Sequence, residues 1–245
     1  MPGSRRRSGC LIVVLVLVLV VCGVAVVADR AVANTVESRL ADSIATGLRD
    51  DGTPAQTTKV ETEGFPFLTQ LLTGKFDGGQ VHLTNLRTAD GGTLDKVDLT
   101  LHDVRVPRDV LTGATPHNVT VASIVGSGRL TVAEIAKGLE LPGLKLTNDG
   151  NALKASFPTT IPVAGSIPIT ANLTPHLTNN VLTFDVSEVT AAGITIPQSV
   201  IDNITASFRR PAPLDLPFAV KLEKVTAGGG YVTVIGSANN VAIVK

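Results

Sequence analysis

Four histidines are the residues of this sequence best suited to catalysis or metal binding: His82, His102, His117 and His176. They are scattered along the chain, and none forms a His-x-x-x-His pair or stands beside a glutamate on a predicted helix. Each lies on a predicted strand or turn, where a solvated histidine is the simpler interpretation. The sequence therefore predicts no metal site.

Nucleophile motifs are missing as well. There is no Gly-x-Ser-x-Gly pattern, and Gly126-Ser127-Gly128 has the wrong spacing for one and is interpreted as a hairpin turn. Both cysteines, Cys10 and Cys22, lie in an apolar N-terminal segment, so the rest of the chain offers no thiol nucleophile, disulfide or zinc–thiolate site. We expect a protein that is not an enzyme and uses no cofactor.

The composition disfavours two further classes. The chain has 245 residues, with 21 basic and 21 acidic side chains. Arg5, Arg6 and Arg7 are basic and no acid precedes Asp29, so the remainder is mildly acidic. Nucleic-acid binders need a basic face with stacking aromatic residues, and carbohydrate-stacking lectins usually need Trp. With 7 Phe, 1 Tyr and no Trp, neither class fits.

The N-terminus predicts the location of the protein. Three arginines precede residues 10–28, which carry no charge. As a helix this segment would measure about 28 Å, close to the roughly 30 Å of bilayer hydrocarbon. The positive-inside preference would keep the arginines in the cytoplasm. We therefore predict a cytoplasmic basic start (residues 1–9), a transmembrane signal anchor or signal peptide (residues 10–28) and an extracytoplasmic domain (residues 29–245).

Two fates of the N-terminal segment stay open. Residues 31–33, Ala-Val-Ala, fit the small-x-small pattern of a cleavage site, and cleavage would release the domain to the periplasmic space. Against cleavage, the apolar run is long, and residues 31–49 have the apolar spacing of one amphipathic helix. We favour an uncleaved, single-pass anchor in the cell membrane.

Most of the remaining chain alternates between apolar and polar residues, as strands do. Two stretches, residues 65–72 and 196–208, instead have helical spacing, and Thr131 with Glu134 forms a capping box. The alternation slips near His102-Asp103 and again before Val225, and β-bulges there would bend the sheet. The pattern predicts an α+β fold, in which a strongly curved antiparallel sheet wraps on amphipathic helices after an N-terminal transmembrane helix.

This fold would supply more apolar faces than catalytic groups. The simplest interpretation is that the sheet and the helices bury one another. Val, Ala, Thr and Gly fill a curved sheet poorly when aromatic residues are few, however, so an elongated apolar slot is the functional alternative. Ligand sites are typically apolar concavities with few polar groups, and such a slot would suit acyl chains.

Three segments carry a family resemblance: residues 29–48, the block GFPFLTQLLTG at residues 64–74, and residues 216–238. In them the chain resembles the actinobacterial LmeA family of phospholipid-binding proteins, over nearly all of its length after Asp29. The resemblance implies a TULIP-like fold with an acyl-chain tunnel and phospholipid binding in the cell envelope. It also implies a role that supports mannan synthesis on envelope lipoglycans, with an envelope glycosyltransferase as a partner.

The predicted function is therefore an extracytoplasmic, phospholipid-binding protein that is attached to the membrane by its N-terminal helix. A structural envelope protein that docks a membrane enzyme is the alternative, and a hydrolase of envelope lipid is a third hypothesis. The side chains expected to line the acyl groove are all large and apolar: Phe65, Phe67, Leu68, Leu71, Leu72, Leu99, Leu101, Ile167, Ile169, Phe184, Ile204 and Phe208.

Overall fold

Helix α1 (Arg6–Asp50) runs unbroken for 45 residues. It is the first element of the computed structural model. The model describes residues 6–88, 91–111, 118–139, 141–161, 165–191, 196, 198–208, 212–213 and 220–243. No proline interrupts α1, so every backbone hydrogen bond along it is available. The predicted membrane segment and the predicted amphipathic helix are thus one helix, about 68 Å long. By length and composition, α1 can cross a membrane.

The other described helices are short: α2 (Phe67–Thr73), α3 (Arg108–Leu111), α4 (Val132–Gly138) and α5 (Gln198–Phe208). The described strands are β1 (Thr57–Glu63), β2 (Lys75–Arg87), β3 (Thr93–Arg105), β4 (Val119–Thr131), β5 (Lys145–Asp149), β6 (Ala152–Ile161), β7 (Gly165–Thr178), β8 (Val181–Ala191), β9 (Ala212–Pro213), β10 (Lys221–Gly228) and β11 (Tyr231–Ile243). Thr131 caps α4 as predicted, because its hydroxyl accepts a hydrogen bond from the Glu134 amide at 3.2 Å. The Glu134 carboxylate, the other half of the predicted capping box, pairs with Lys137.

The strands form two open antiparallel sheets. One has six strands in the order β1-β2-β3-β4-β11-β10, and the other has five in the order β5-β6-β7-β8-β9. The α+β class and the antiparallel pairing predicted from the sequence are confirmed. The sequence predicts one sheet, whereas the described strands form two. The difference arises because alternation along each strand cannot show where a sheet ends. The strong curvature stays a prediction.

The larger core lies between the five-stranded sheet, helices α4 and α5, and the adjoining ends of β10 and β11. Leu153 and Leu173 are fully buried there, and the rings of Phe157 and Phe208 meet with centroids 5.9 Å apart. A smaller core gathers around Val121 and Val241 on the six-stranded sheet. Because the larger core includes residues from both sheets, it joins them into one folded body.

Three local features predicted from the sequence have different outcomes. The slip in β10 is confirmed: Leu222 pairs with Gly236 and Lys224 with Ile235, which leaves one extra residue in β10. The hairpin turn predicted at residues 126–128 is wrong, because β4 continues through it, paired on both sides. The β-bulge predicted near His102-Asp103 is wrong, because β3 gains no residue there relative to β4. Asp103 instead adopts a left-handed conformation (φ 51°), which Asp tolerates better than most residues.

Candidate functional site

One face of the six-stranded sheet is largely apolar. Residues that pair across antiparallel strands point to the same side of a sheet. In three successive rows here the paired positions are apolar or glycine, except for Thr58 and Thr62 at the β1 end. The register places these side chains and glycines together on the apolar face: Val60, Val81, Leu83, Val97, Leu99, Leu101, Ile124, Gly126, Gly128, Leu222, Val225, Val234, Gly236 and Ala238.

Glycines occupy the centre of the apolar face. A Cβ atom on Gly126 would lie 2.9 Å from Leu99 Cδ2, and one on Gly236 would lie 3.0 Å from Leu222 Cδ2, so leucines already cover these two positions. Around the Cβ position of Gly128, by contrast, no described heavy atom lies within 4 Å apart from those of Gly128 itself and its two neighbours in the chain. The face therefore has an open space at its middle, which we call the Gly128 recess.

The walls of the Gly128 recess are apolar and largely sheltered from water. Gly128 pairs with Val97 on β3 and with Val234 on β11. Leu83, in the same row, is 5% exposed and Val234 is 8% exposed. Because ligand sites are typically apolar, this gap in the side-chain layer beside buried aliphatic side chains is the candidate site for an apolar ligand.

Eleven of the twelve side chains predicted to line a groove are described, and they lie in three places. Leu99 and Leu101 are half-buried on the apolar face. Ile169, Phe184 and Phe208 are buried in the larger core, and Ile167 is half-buried on β7. On α2 and just before it, Phe67 is buried, Leu71 is half-buried, and Phe65, Leu68 and Leu72 are exposed. The side chain of Ile204 lies outside the described residues. Their role in lipid binding stays a prediction.

Sequence reasoning missed the glycines of the recess. Gly126 and Gly128 were assigned to a turn because glycine is common in turns. The available signal was their spacing: glycines two residues apart in a strand remove side chains from one face only.

Helix α2 is held in place by a carboxylate from α1. Asp29, which is 2% exposed, accepts hydrogen bonds from the backbone amides of Phe67 (2.9 Å) and Leu68 (2.8 Å). The residue before the helix, Pro66, makes no side-chain cap, so Asp29 supplies the acceptor that the first turn of a helix requires. At the other end, Gly74 closes the helix in a left-handed conformation (φ 70°). This fixes the start of α2 against the end of the apolar segment of α1.

The opposite face of the six-stranded sheet is polar, and an ionic cluster lies on it. Asp98 Oδ1 lies 2.6 Å from His82 Nδ1, and Asp98 Oδ2 lies 2.9 Å from Lys96 Nζ. Partial burial opposes ionisation of Asp98, but its hydrogen bonds with Lys96 and His82 outweigh burial and lower its pKa. Among the described residues, no group of three or more His, Cys, Asp or Glu side chains is placed to hold a metal ion. We interpret the cluster as cross-strand pairing.

We expect Asp98→Asn to lower the free energy of unfolding at pH 7 by about 1 kcal/mol or less, because partly exposed ion pairs are weak. Since folding lowers the pKa of Asp98, its contribution is present above the unfolded value of about 3.9 and is lost as the pH falls through the folded value. Urea unfolding of the full chain in detergent between pH 7 and pH 2 measures this. A difference that stays constant over that range contradicts the assignment.

Comparison with known proteins gives one match. The chain matches the family described as LmeA-like phospholipid-binding over residues 27–237, which is most of its length. No curated protein and no solved structure matches it. The matched region begins two residues before Asp29 and ends in β11, so it includes α2, the Gly128 recess and all of the apolar face except Ala238. The chain therefore belongs to the LmeA-like phospholipid-binding family.

Proposed function

We propose that this protein is an extracytoplasmic phospholipid-binding protein, anchored by α1, that holds acyl chains on the apolar face of its six-stranded sheet. The Gly128 recess carries the proposal: it is an unfilled apolar space bordered by Val97 and Val234. Leu99 and Leu101 lie on the same face, so we assign them to the lining. The larger core, where Ile169, Phe184 and Phe208 are buried, then serves chiefly to hold the two sheets together.

The proposed orientation rests on charge and length. The three arginines at positions 5–7 precede the apolar run, and the positive-inside preference places them in the cytoplasm. Helix α1 continues without a break past a potential cleavage site at residues 31–33. Ala33 is 1% exposed, so cleavage there would require part of a packed helix to open. Both observations favour retention of the anchor.

Membership of the family also supports a role in the synthesis or maintenance of envelope lipoglycan mannan. The proposed role is to bind lipid and present it to an envelope glycosyltransferase. The partner enzyme would then supply the catalytic groups.

Photocrosslinking tests the binding site. The full chain is reconstituted into vesicles of phosphatidylethanolamine and phosphatidylglycerol that contain a phospholipid with a diazirine at the end of one acyl chain. After illumination, we expect mass spectrometry to find crosslinked peptides from β3, β4 and β11 as well as from the apolar part of α1. Crosslinks confined to α1 and α2 would show that the protein spans or touches the membrane without holding a lipid on its sheet.

A further inference from the structure

Three large apolar side chains are exposed at α2. Phe65 is 56% exposed, Leu68 37% and Leu72 75%, whereas their neighbour Phe67 is buried. Leu68 and Leu72 are four residues apart and so lie on one side of the helix. We call Phe65, Leu68 and Leu72 the α2 patch. One exposed apolar residue is ordinary, whereas three on one short segment make a candidate contact surface.

The α2 patch lies where α1 leaves its apolar segment. All residues from 19 to 28 are exposed, and the folded domain begins to cover α1 at Asp29. That residue also ends the charge-free run. Since the Asp29 carboxylate binds the amides of Phe67 and Leu68, the start of α2 lies one side-chain length from the end of the membrane-spanning segment.

Other hydrogen bonds hold α2 in place next to the end of the apolar segment of α1. Gln70, buried in the helix, accepts a hydrogen bond from the Asp77 amide at 2.8 Å and donates one to the Glu63 carbonyl at 3.2 Å. The Gly74 carbonyl accepts a hydrogen bond from the Val106 amide at 2.8 Å. Helix α2 is therefore tied to α1, β1, β2 and the segment after β3, and the α2 patch has one fixed position relative to the span.

Basic side chains adjoin the α2 patch. Lys75 directly follows Gly74, the cap of α2, and pairs with Arg105 across β2 and β3. Both side chains are exposed. Arg30 follows Asp29 on α1 and is also exposed. Apolar side chains beside Lys and Arg are typical of helices that lie in the headgroup region of a membrane.

We propose that the α2 patch inserts into the leaflet at which α1 emerges, as a second membrane contact that fixes the domain against the bilayer. This inference rests on α1 remaining as an anchor, which is part of the proposed function. Continuity with the exposed apolar surface of α1 favours lipid over a protein partner as the occupant. A second copy of the chain or another protein on the patch is an outcome that the test separates.

The chain contains no Trp, so a single introduced Trp reports on one position. Three variants of the full chain are reconstituted into vesicles of dioleoyl phosphatidylethanolamine and phosphatidylglycerol, with or without bromine on the acyl chains. Leu72→Trp probes the patch, and Phe65→Trp replaces it if that variant misfolds. Val24→Trp reports on the span, and Leu40→Trp, about 16 Å beyond Asp29 along α1, is the matched exposed control.

We expect brominated lipid to lower the emission of Leu72→Trp and Val24→Trp by about half, and to leave Leu40→Trp unchanged, since the amphipathic indole partitions into the membrane interface. Quenching at Val24→Trp without quenching at Leu72→Trp overturns the inference and leaves the anchor intact. An unquenched but blue-shifted Leu72→Trp overturns it in favour of protein covering the patch. Loss of quenching at both positions overturns the anchor itself, and with it the inference.

Discussion

Asp29→Ala is expected to lower the free energy of unfolding by about 3 kcal/mol, because hydrogen bonds to charged groups contribute about 1.5–3 kcal/mol and two are lost together. The carboxylate is buried and accepts from the amides of Phe67 and Leu68. The alanine variant would leave the Phe67 amide buried without a partner, since Pro66 provides no side-chain cap. The measurement is denaturant unfolding of the full chain in detergent micelles.

Hydrogen exchange separates this effect from a general loss of stability. In Asp29→Ala we expect the amides of Phe67 and Leu68 to exchange about a hundredfold faster, and the amides of β7 to change less, because local opening of α2 does not require the sheet to open. Asp42→Ala, an exposed position on the same helix, is the matched control and should change neither readout. Unaltered exchange at both α2 amides would mean that α2 is held without Asp29.

The sequence predicted α2 well but not what holds it. The Pro66 and Gly74 that flank it are local signals, and the helix lies between them. The Asp29 carboxylate is 38 residues away from the Phe67 amide along the chain, and no local pattern indicates that an aspartate at the end of the apolar segment caps a later helix. A capping contact of this kind depends on the tertiary fold, so only the structure reveals it.

The proposed lipid site illustrates the same division. Alternation along β3 predicted that Leu99 and Leu101 share a face, and they do. Pairing between distant segments determines which strands lie beside β3. The same pairing places Gly128 between Val97 and Val234. Local signals also could not distinguish residues of the larger core from residues of an open face, because Phe184 and Leu99 have the same apolar character.

Gly128→Phe is expected to weaken phospholipid binding about thirtyfold. A phenyl ring in the recess would displace two or three methylenes of an acyl chain, and at about 0.8 kcal/mol per methylene this costs about 2 kcal/mol of binding. Photocrosslinking of β3, β4 and β11 by the diazirine lipid, titrated against vesicle content, measures the change.

The same substitution should not destabilise the fold. Apart from Gly128 and its two neighbours in the chain, no described heavy atom lies within 4 Å of the Gly128 Cβ position, so the first atom of the new side chain meets no clash. Replacing glycine within a strand also removes the entropic cost that glycine carries there, about 0.5–1 kcal/mol. We therefore expect the free energy of unfolding to stay level or rise while lipid crosslinking falls, a combination that separates a blocked site from a damaged protein.

Val125→Phe provides the matched control, since Val125 lies on the same strand but on the opposite face and is 43% exposed. It adds similar bulk to β4 outside the recess and should leave crosslinking unchanged. A fall in stability with Gly128→Phe would mean that the recess is too small to admit a ring. Normal crosslinking in a stable Gly128→Phe protein would mean that acyl chains bind elsewhere, and the assignment of the apolar face as the lipid site would be wrong.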